Sequence, residues 1–145
     1  MRSIKTKIIL LFTVLCCVFS IYASAAGSVS VFVNGKALAN SSSAVLMNGT
    51  VMLPFRSVFN ALGVPNNQIT WNQGLHSIEV RTSDQKYIFL VVGSRGALVD
   101  DKMLTLPVTP FIQNGSTFVP VRFVSEALGA TVKWDNATQR VLITK

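Results

Sequence analysis

Thiols, imidazoles and acids are nearly missing from this chain. Its 145 residues hold two cysteines, one histidine and six acids. Cys16 and Cys17 are adjacent and lie in an apolar run near the N-terminus, so the rest of the chain has no disulfide framework and no thiol chemistry. With one imidazole, His76, there is no Cys/His cluster for zinc. No phosphate loop and no nucleophile elbow occurs. A Ser–His–acid triad around His76 would have no motif to frame it. Charge runs and Pro-rich linkers are also missing, and Ser41-Ser42-Ser43 is only a short polar loop.

The N-terminus has the pattern of an export signal. Arg2, Lys5 and Lys7 precede an apolar stretch from Ile8 to Tyr22, and Ala23-Ser24-Ala25 supplies small residues at a cleavage site. The expected division is a signal peptide over 1–25 with cleavage before Ala26. The alternative is an uncleaved anchor, but a membrane span needs ~20 apolar residues and this stretch is shorter. Leu15 before Cys16 argues against lipidation, which needs a small residue there. Removing the signal lowers Lys+Arg from 13 to 10 against six acids, a net charge of +4. Such a modest excess suits an anionic cell surface but is screened by salt. The cations are scattered, which together with export disfavours nucleic acid as a partner. No membrane association is expected after cleavage.

What the chain does have is a repeat. Asn48-Gly49-Thr50-Val51-Met52-Leu53-Pro54-Phe55-Arg56, continuing to Ala61-Leu62-Gly63, returns as Asn114-Gly115-Ser116-Thr117-Phe118-Val119-Pro120-Val121-Arg122, continuing to Ala127-Leu128-Gly129. The offset is 66 residues, slipping to 63 by Trp71 and Trp134. Self-similarity of this size marks a supersecondary unit. The expected copies are 26–84 and 85–145.

Each copy reads as hairpins around one helix. Val29, Val31 and Val33 alternate with Ser30, Phe32 and Asn34, and Asn34-Gly35 is a strong two-residue turn signal; Asp100-Asp101 is the weaker counterpart. A second hairpin turns at Asn48-Gly49 and at Asn114-Gly115. Pro54 and Pro120 then open a helix of about ten residues, preorganised for a first helical position. Val58, Ala61 and Leu62 share one face, as do Val124, Ala127 and Leu128. Gly63 and Gly129 are expected C-caps. Helices this short must lie on a sheet. Each copy closes with a hairpin: Gln68 to Trp71 and His76 to Val80, then Thr131 to Trp134 and Gln139 to Ile143. Between the copies, Tyr87 to Val92 reads as a buried bridging strand. The fold class is α+β: two tandem repeats, each an antiparallel sheet of β-hairpins packed on one short α-helix.

Four residues are candidates for binding. Arg56 and Arg122 fall in the first helical turn, where a cation is unfavourable and invites an anion. Trp71 and Trp134 could stack on carbohydrate, or plug the core against the helix. Their presence in both copies favours a structural role for all four. A glycosidase would need two opposed carboxylates. Glu79, Asp84, Asp100, Asp101, Glu126 and Asp135 read instead as solvated turn and helix-face charges.

The compound motif, Asn-Gly to Pro-x-Arg to Ala-Leu-Gly and then Trp-(Asp/Asn), resembles the copper amine oxidase N-terminal-like, or stalk, domain. The resemblance covers nearly all of Val29 to Lys145, and the second copy is the closer match. It implies an antiparallel sheet wrapped on a helix in an accessory module of exported and surface proteins of Gram-positive bacteria. It does not bring oxidase chemistry, which needs three His copper ligands and a Tyr that becomes the quinone. This chain has only His76, and its tyrosines are Tyr22 and Tyr87. No catalytic, metal or cofactor site is expected. The expected function is that of a secreted, non-catalytic binding module of the cell envelope, partnered by wall polymer or another exported protein. A small secreted hydrolase and an inhibitor of another exported protein are the alternatives. The copies run to Lys145, and on that reading binding rather than an attached catalytic domain carries the function.

Overall fold

The structure, a computed structural model, describes residues 28–40 and 43–145. The expected signal peptide lies outside the described residues. The alternating apolar segments fold into strands β1 (Ser30–Val33), β2 (Lys36–Ala37), β3 (Val45–Met47) and β4 (Thr50–Pro54), then helix α1 (Phe55–Ala61). Next come β5 (Ile69–Asn72), β6 (Ser77–Arg81), β7 (Tyr87–Val91), β8 (Gly96–Val99) and β9 (Lys102–Thr105). The chain finishes with β10 (Phe111–Gln113), β11 (Ser116–Pro120), α2 (Val121–Ala127), β12 (Thr131–Asp135) and β13 (Arg140–Thr144). The architecture is mostly β-sheet with two short helices, which is compatible with an α+β class. Strands β1, β3 and β4 and helix α1 recur 66 residues later, at the same lengths, as β8, β10, β11 and α2.

The strands are not sorted into one sheet per half. The central sheet has the order β10-β11-β4-β3, and Leu53 sits opposite Val119, its own counterpart at the 66-residue offset. A second sheet, β12-β13-β1-β2, joins the closing hairpin of the second half to the opening hairpin of the first. The third, β5-β6-β7-β8-β9, makes the reciprocal exchange, with β7 inserted between the two hairpins. One pairing departs from the antiparallel expectation. β1 runs parallel to β13, from Ser30 beside Arg140 to Val33 beside Ile143. This register buries Val31, Val33, Val141 and Ile143 together. Lys145 fastens the closure, its backbone N–H donating to Asn34 Oδ1 at 2.9 Å and its Nζ to the Leu62 carbonyl at 2.9 Å.

Turn chemistry agrees with the sequence at three hairpins. Asn34-Gly35, Asn48-Gly49 and Asn114-Gly115 all take positive φ at both positions, as type I′ turns require. Both helices end in a Schellman motif. The N–H of Val64 donates to the Phe59 carbonyl and that of Gly63 to Asn60, with Ala130 to Ser125 and Gly129 to Glu126 as the second instance. The helices have seven residues each, fewer than expected, because Pro54 and Pro120 are the last residues of β4 and β11. Each proline serves as N-cap rather than first helical residue. A strand end tolerates it because no ladder N–H is needed there.

A single main core spans both halves, uniting Val31, Leu53 and Phe59 with Ile88, Val119, Val124 and Ile143. β7 is half-buried rather than buried: Ile88 and Leu90 point into the core, and Tyr87, Phe89 and Val91 alternate with them. A smaller cluster of Met52, Val108 and Phe118 forms apart from it. There the Phe111 and Phe118 rings stack at 5.0 Å.

Candidate functional site

The exchange of strands builds two grooves from parts of both halves. Because α1 follows β4 directly, Arg56 emerges beside the central sheet, and the β5–β6 hairpin brings Trp71 next to it. Antiparallel pairing of β4 with β11 then carries the Asn114-Gly115 turn to the same place. The first groove, of about 510 Å³, is lined by Pro54, Phe55, Arg56, Trp71 and Gln73 on one side. Ile112, Gly115, Ser116 and Thr117 form the other. The second groove has the same plan with the halves exchanged. Arg122, Trp134 and Lys133 face Gly49, Thr50 and Val51 around about 200 Å³. The four sequence candidates are thus gathered in two pairs, Arg56 with Trp71 and Arg122 with Trp134. The hairpin tips opposite them escaped sequence reading, which treated Asn-Gly only as a turn.

The two arginines are held differently. Arg56 Nη1 donates to Asn66 Oδ1 at 3.3 Å, and its guanidinium lies 5.0 Å above the Phe55 ring. Asn60 Nδ2 shares the same Asn66 oxygen at 3.2 Å. Arg122 instead meets Glu126 Oε1 at 4.0 Å, four residues along the helix, with both side chains more than half exposed. An ion pair so exposed contributes little. Neither helix has an acid in its first turn. Every formal charge lining either groove is positive.

The tryptophans differ too. Trp71 is half-buried, 6.2 Å from the Phe55 ring and 6.1 Å from His76, and its Nε1–H donates to Gln73 Oε1 at 2.8 Å. Trp71 packs on the main core, whereas Trp134 is 37% exposed on β12. His76 is not on a strand as expected. It occupies the turn before β6 at φ +49, and Gln139, its counterpart 63 residues on, takes +52 before β13. The turn needs a left-handed residue there, which overrides the apolar–polar alternation.

The carboxylates stand elsewhere. Asp100, Asp101 and Glu126 line a third cavity of about 380 Å³ together with Lys86 and Lys102. The backbone N–H of Tyr87 and the Lys86 ammonium hold Asp100 below the usual carboxylate range. Hydrogen bonds from the Thr82 and Thr138 hydroxyls do the same for Asp84 and Asp135. Glu79 pairs with Arg81 at 2.8 Å. A glycosidase acid needs the opposite shift, upward. Tyr87 lies half-buried beneath the Arg81 guanidinium, 4.4 Å from it.

The family model of the copper amine oxidase N-terminal domain matches residues 32–143, from β1 to β13. The chain belongs to this family. A search of the curated proteins found no match. The matched span of this copper amine oxidase N-terminal domain holds both grooves and all four of Arg56, Trp71, Arg122 and Trp134. The family is named for the non-catalytic N-terminal domain of those oxidases. Its residues here do not fit a copper centre: the sole histidine packs on Trp71, and no group of three His, Cys, Asp or Glu among the described residues is placed to hold a metal ion. No helix among the described residues is long and apolar enough to cross a membrane.

Proposed function

We propose that this chain is a duplicated, secreted, non-catalytic accessory module that binds a component of the cell envelope through its grooves. The observation that carries the reading is the paired construction of those grooves. Each combines an arginine and a tryptophan of one half with the hairpin tip of the other, and no acid lines either one. The duplication is supported by the recurrence of elements at the 66-residue offset and by Leu53 facing Val119. Secretion rests on the N-terminal sequence pattern. Envelope polymer is the leading partner, because both grooves are cationic and exported polymers of the wall are anionic.

A pull-down of Ala26–Lys145 against cell envelope in low and high salt tests it. Retention on the polymer fraction at low salt and release at high salt is the expected result. A supernatant protein at low salt overturns it. A second reading, an exported protein as partner, is favoured by β9. All four residues of that edge strand are exposed, Met103 at 71% and Leu104 at 42%. An exposed edge strand is a ready template for another chain. Retention of one discrete protein would select that reading.

A further inference from the structure

The two grooves are not equivalent, and the difference names a ligand class. Small-molecule sites have volumes of ~300–1,000 Å³. The first groove, at about 510 Å³, falls inside that range, and the second, at about 200 Å³, falls below it. In the first groove Arg56 is the sole formal charge and has no acid partner among the described residues. One of its N–H groups is spent on Asn66 Oδ1 and its plane is steadied over Phe55, leaving other guanidinium donors free. The groove therefore offers one oriented cation to one anion.

The rest of the lining pairs apolar surface with hydroxyl and amide groups. The indole N–H of Trp71 is already committed to Gln73, so the ring enters the groove as apolar surface. Phe55 and Ile112 extend that surface. Gln73, Ser116 and Thr117 place an amide and two hydroxyls around it. A ligand complementary to this set has one flat apolar face, several hydroxyl groups and one negative charge. A pyranose has such a face in its axial C–H groups, and aromatic rings supply rigid area for it.

We propose that the groove between Arg56, Trp71 and the Gly115–Thr117 hairpin binds an anionic saccharide unit, with Arg56 taking the carboxylate or phosphate and Trp71 the sugar face. The inference rests on the reading of this chain as a binding module. The second groove does not share the saccharide role, because its space is too small.

Calorimetric titration of Ala26–Lys145 tests the site with four probes: oligogalacturonate, phosphomannan, neutral dextran and poly-glutamate. Binding of oligogalacturonate identifies a carboxylated sugar, and binding of phosphomannan alone identifies a phosphorylated one. Dextran is expected to bind at least about tenfold more weakly, for want of the charge-assisted bond. Trp71→Ala and Arg56→Gln are each expected to weaken binding about tenfold. Arg95→Gln, an exposed cation outside both grooves, is expected to leave it unchanged. Arg56 is exposed, so its variant reads the site even where Trp71→Ala disturbs folding. Poly-glutamate binding as tight as the saccharides would make the site a peptide groove and overturn the proposal, as would silence with both anionic saccharides. Envelope retention of Arg56→Gln separates the two levels. Retention equal to wild type leaves the envelope reading standing and sinks the groove. Saccharide binding without envelope retention does the reverse.

Discussion

Truncating Leu53 asks whether the two halves share one fate. Leu53 is fully buried at the centre of the middle sheet, and Val119 beside it is buried equally. Leu53→Ala removes buried methyl groups and leaves a cavity that a packed sheet closes only in part. The cost of such a change is about 3 kcal/mol. For a domain of this size one kcal/mol moves the melting midpoint by roughly 4 °C, so Tm should fall by about 12 °C. Each half carries its own reporter, Trp71 on β5 and Trp134 on β12. In single-tryptophan backgrounds made with Trp134→Phe and Trp71→Phe, fluorescence melts should give coincident midpoints. Leu53→Ala should shift both midpoints together, because the sheets exchange hairpins and the core is continuous. A variant that lowers the Trp71 midpoint while the Trp134 midpoint stays put would refute the single core.

Three further outcomes follow from local geometry. Gly63 and Gly129 take φ +85 and +80, and a Cβ at either would meet no atom within 4 Å. Gly63→Ala and Gly129→Ala should therefore each cost only the left-handed penalty, about 1 kcal/mol by urea denaturation, and a loss above ~3 kcal/mol would reveal a clash. Lys145→Ala removes the ammonium from the Leu62 carbonyl at the end of α1, so a loss of about 1 kcal/mol is expected, and an unchanged urea midpoint would show that this contact is idle. Asp84, Asp100 and Asp135 titrate below the ordinary 3.8 in the folded protein, so on acidification the unfolded chain takes up protons first. Their stabilisation is complete above about pH 5 and is lost as pH falls through the unfolded and then the folded values; removal of the three carboxylates that leaves the acid limb of the urea midpoint in place would contradict it.

Much of the fold was legible because its signals are local. Asn-Gly can adopt positive φ twice in succession, and Gly63 and Gly129 close helices by bonds that span five residues. Strand partners are another matter. Whether β1 meets β2 alone or also β13 depends on which buried valines find company across the chain, and nothing near Val31 encodes Val141. The same limit hid half of each groove. Arg56 and Trp71 were visible as polar and aromatic exceptions, but Ser116 and Thr117 reach them only through the pairing of β4 with β11. His76 misled for a different reason. Alternation placed it on a strand, and the left-handed requirement of the turn overrode alternation.

Repetition in sequence also concealed a difference in charge. Arg56 and Arg122 look interchangeable, yet the residue one turn further on is Asn60 in one helix and Glu126 in the other. Glu126 gives Arg122 an ion partner at 4.0 Å, and Asn60 gives Arg56 none. Asn60→Glu should therefore turn the first groove into an electrostatic copy of the second. An exposed pair of this kind contributes about 0.2–1 kcal/mol, so the anion would compete against it and lose roughly 1.4- to 5-fold in affinity. The reciprocal change, Glu126→Asn, frees Arg122 without enlarging its groove, and no saccharide binding should appear there. Titration of both variants with oligogalacturonate reads the difference directly. Equal affinity of Asn60→Glu and wild type would show that Arg56 is not what recognises the anion, and a new site in Glu126→Asn would show that charge, rather than groove volume, had kept the second site closed.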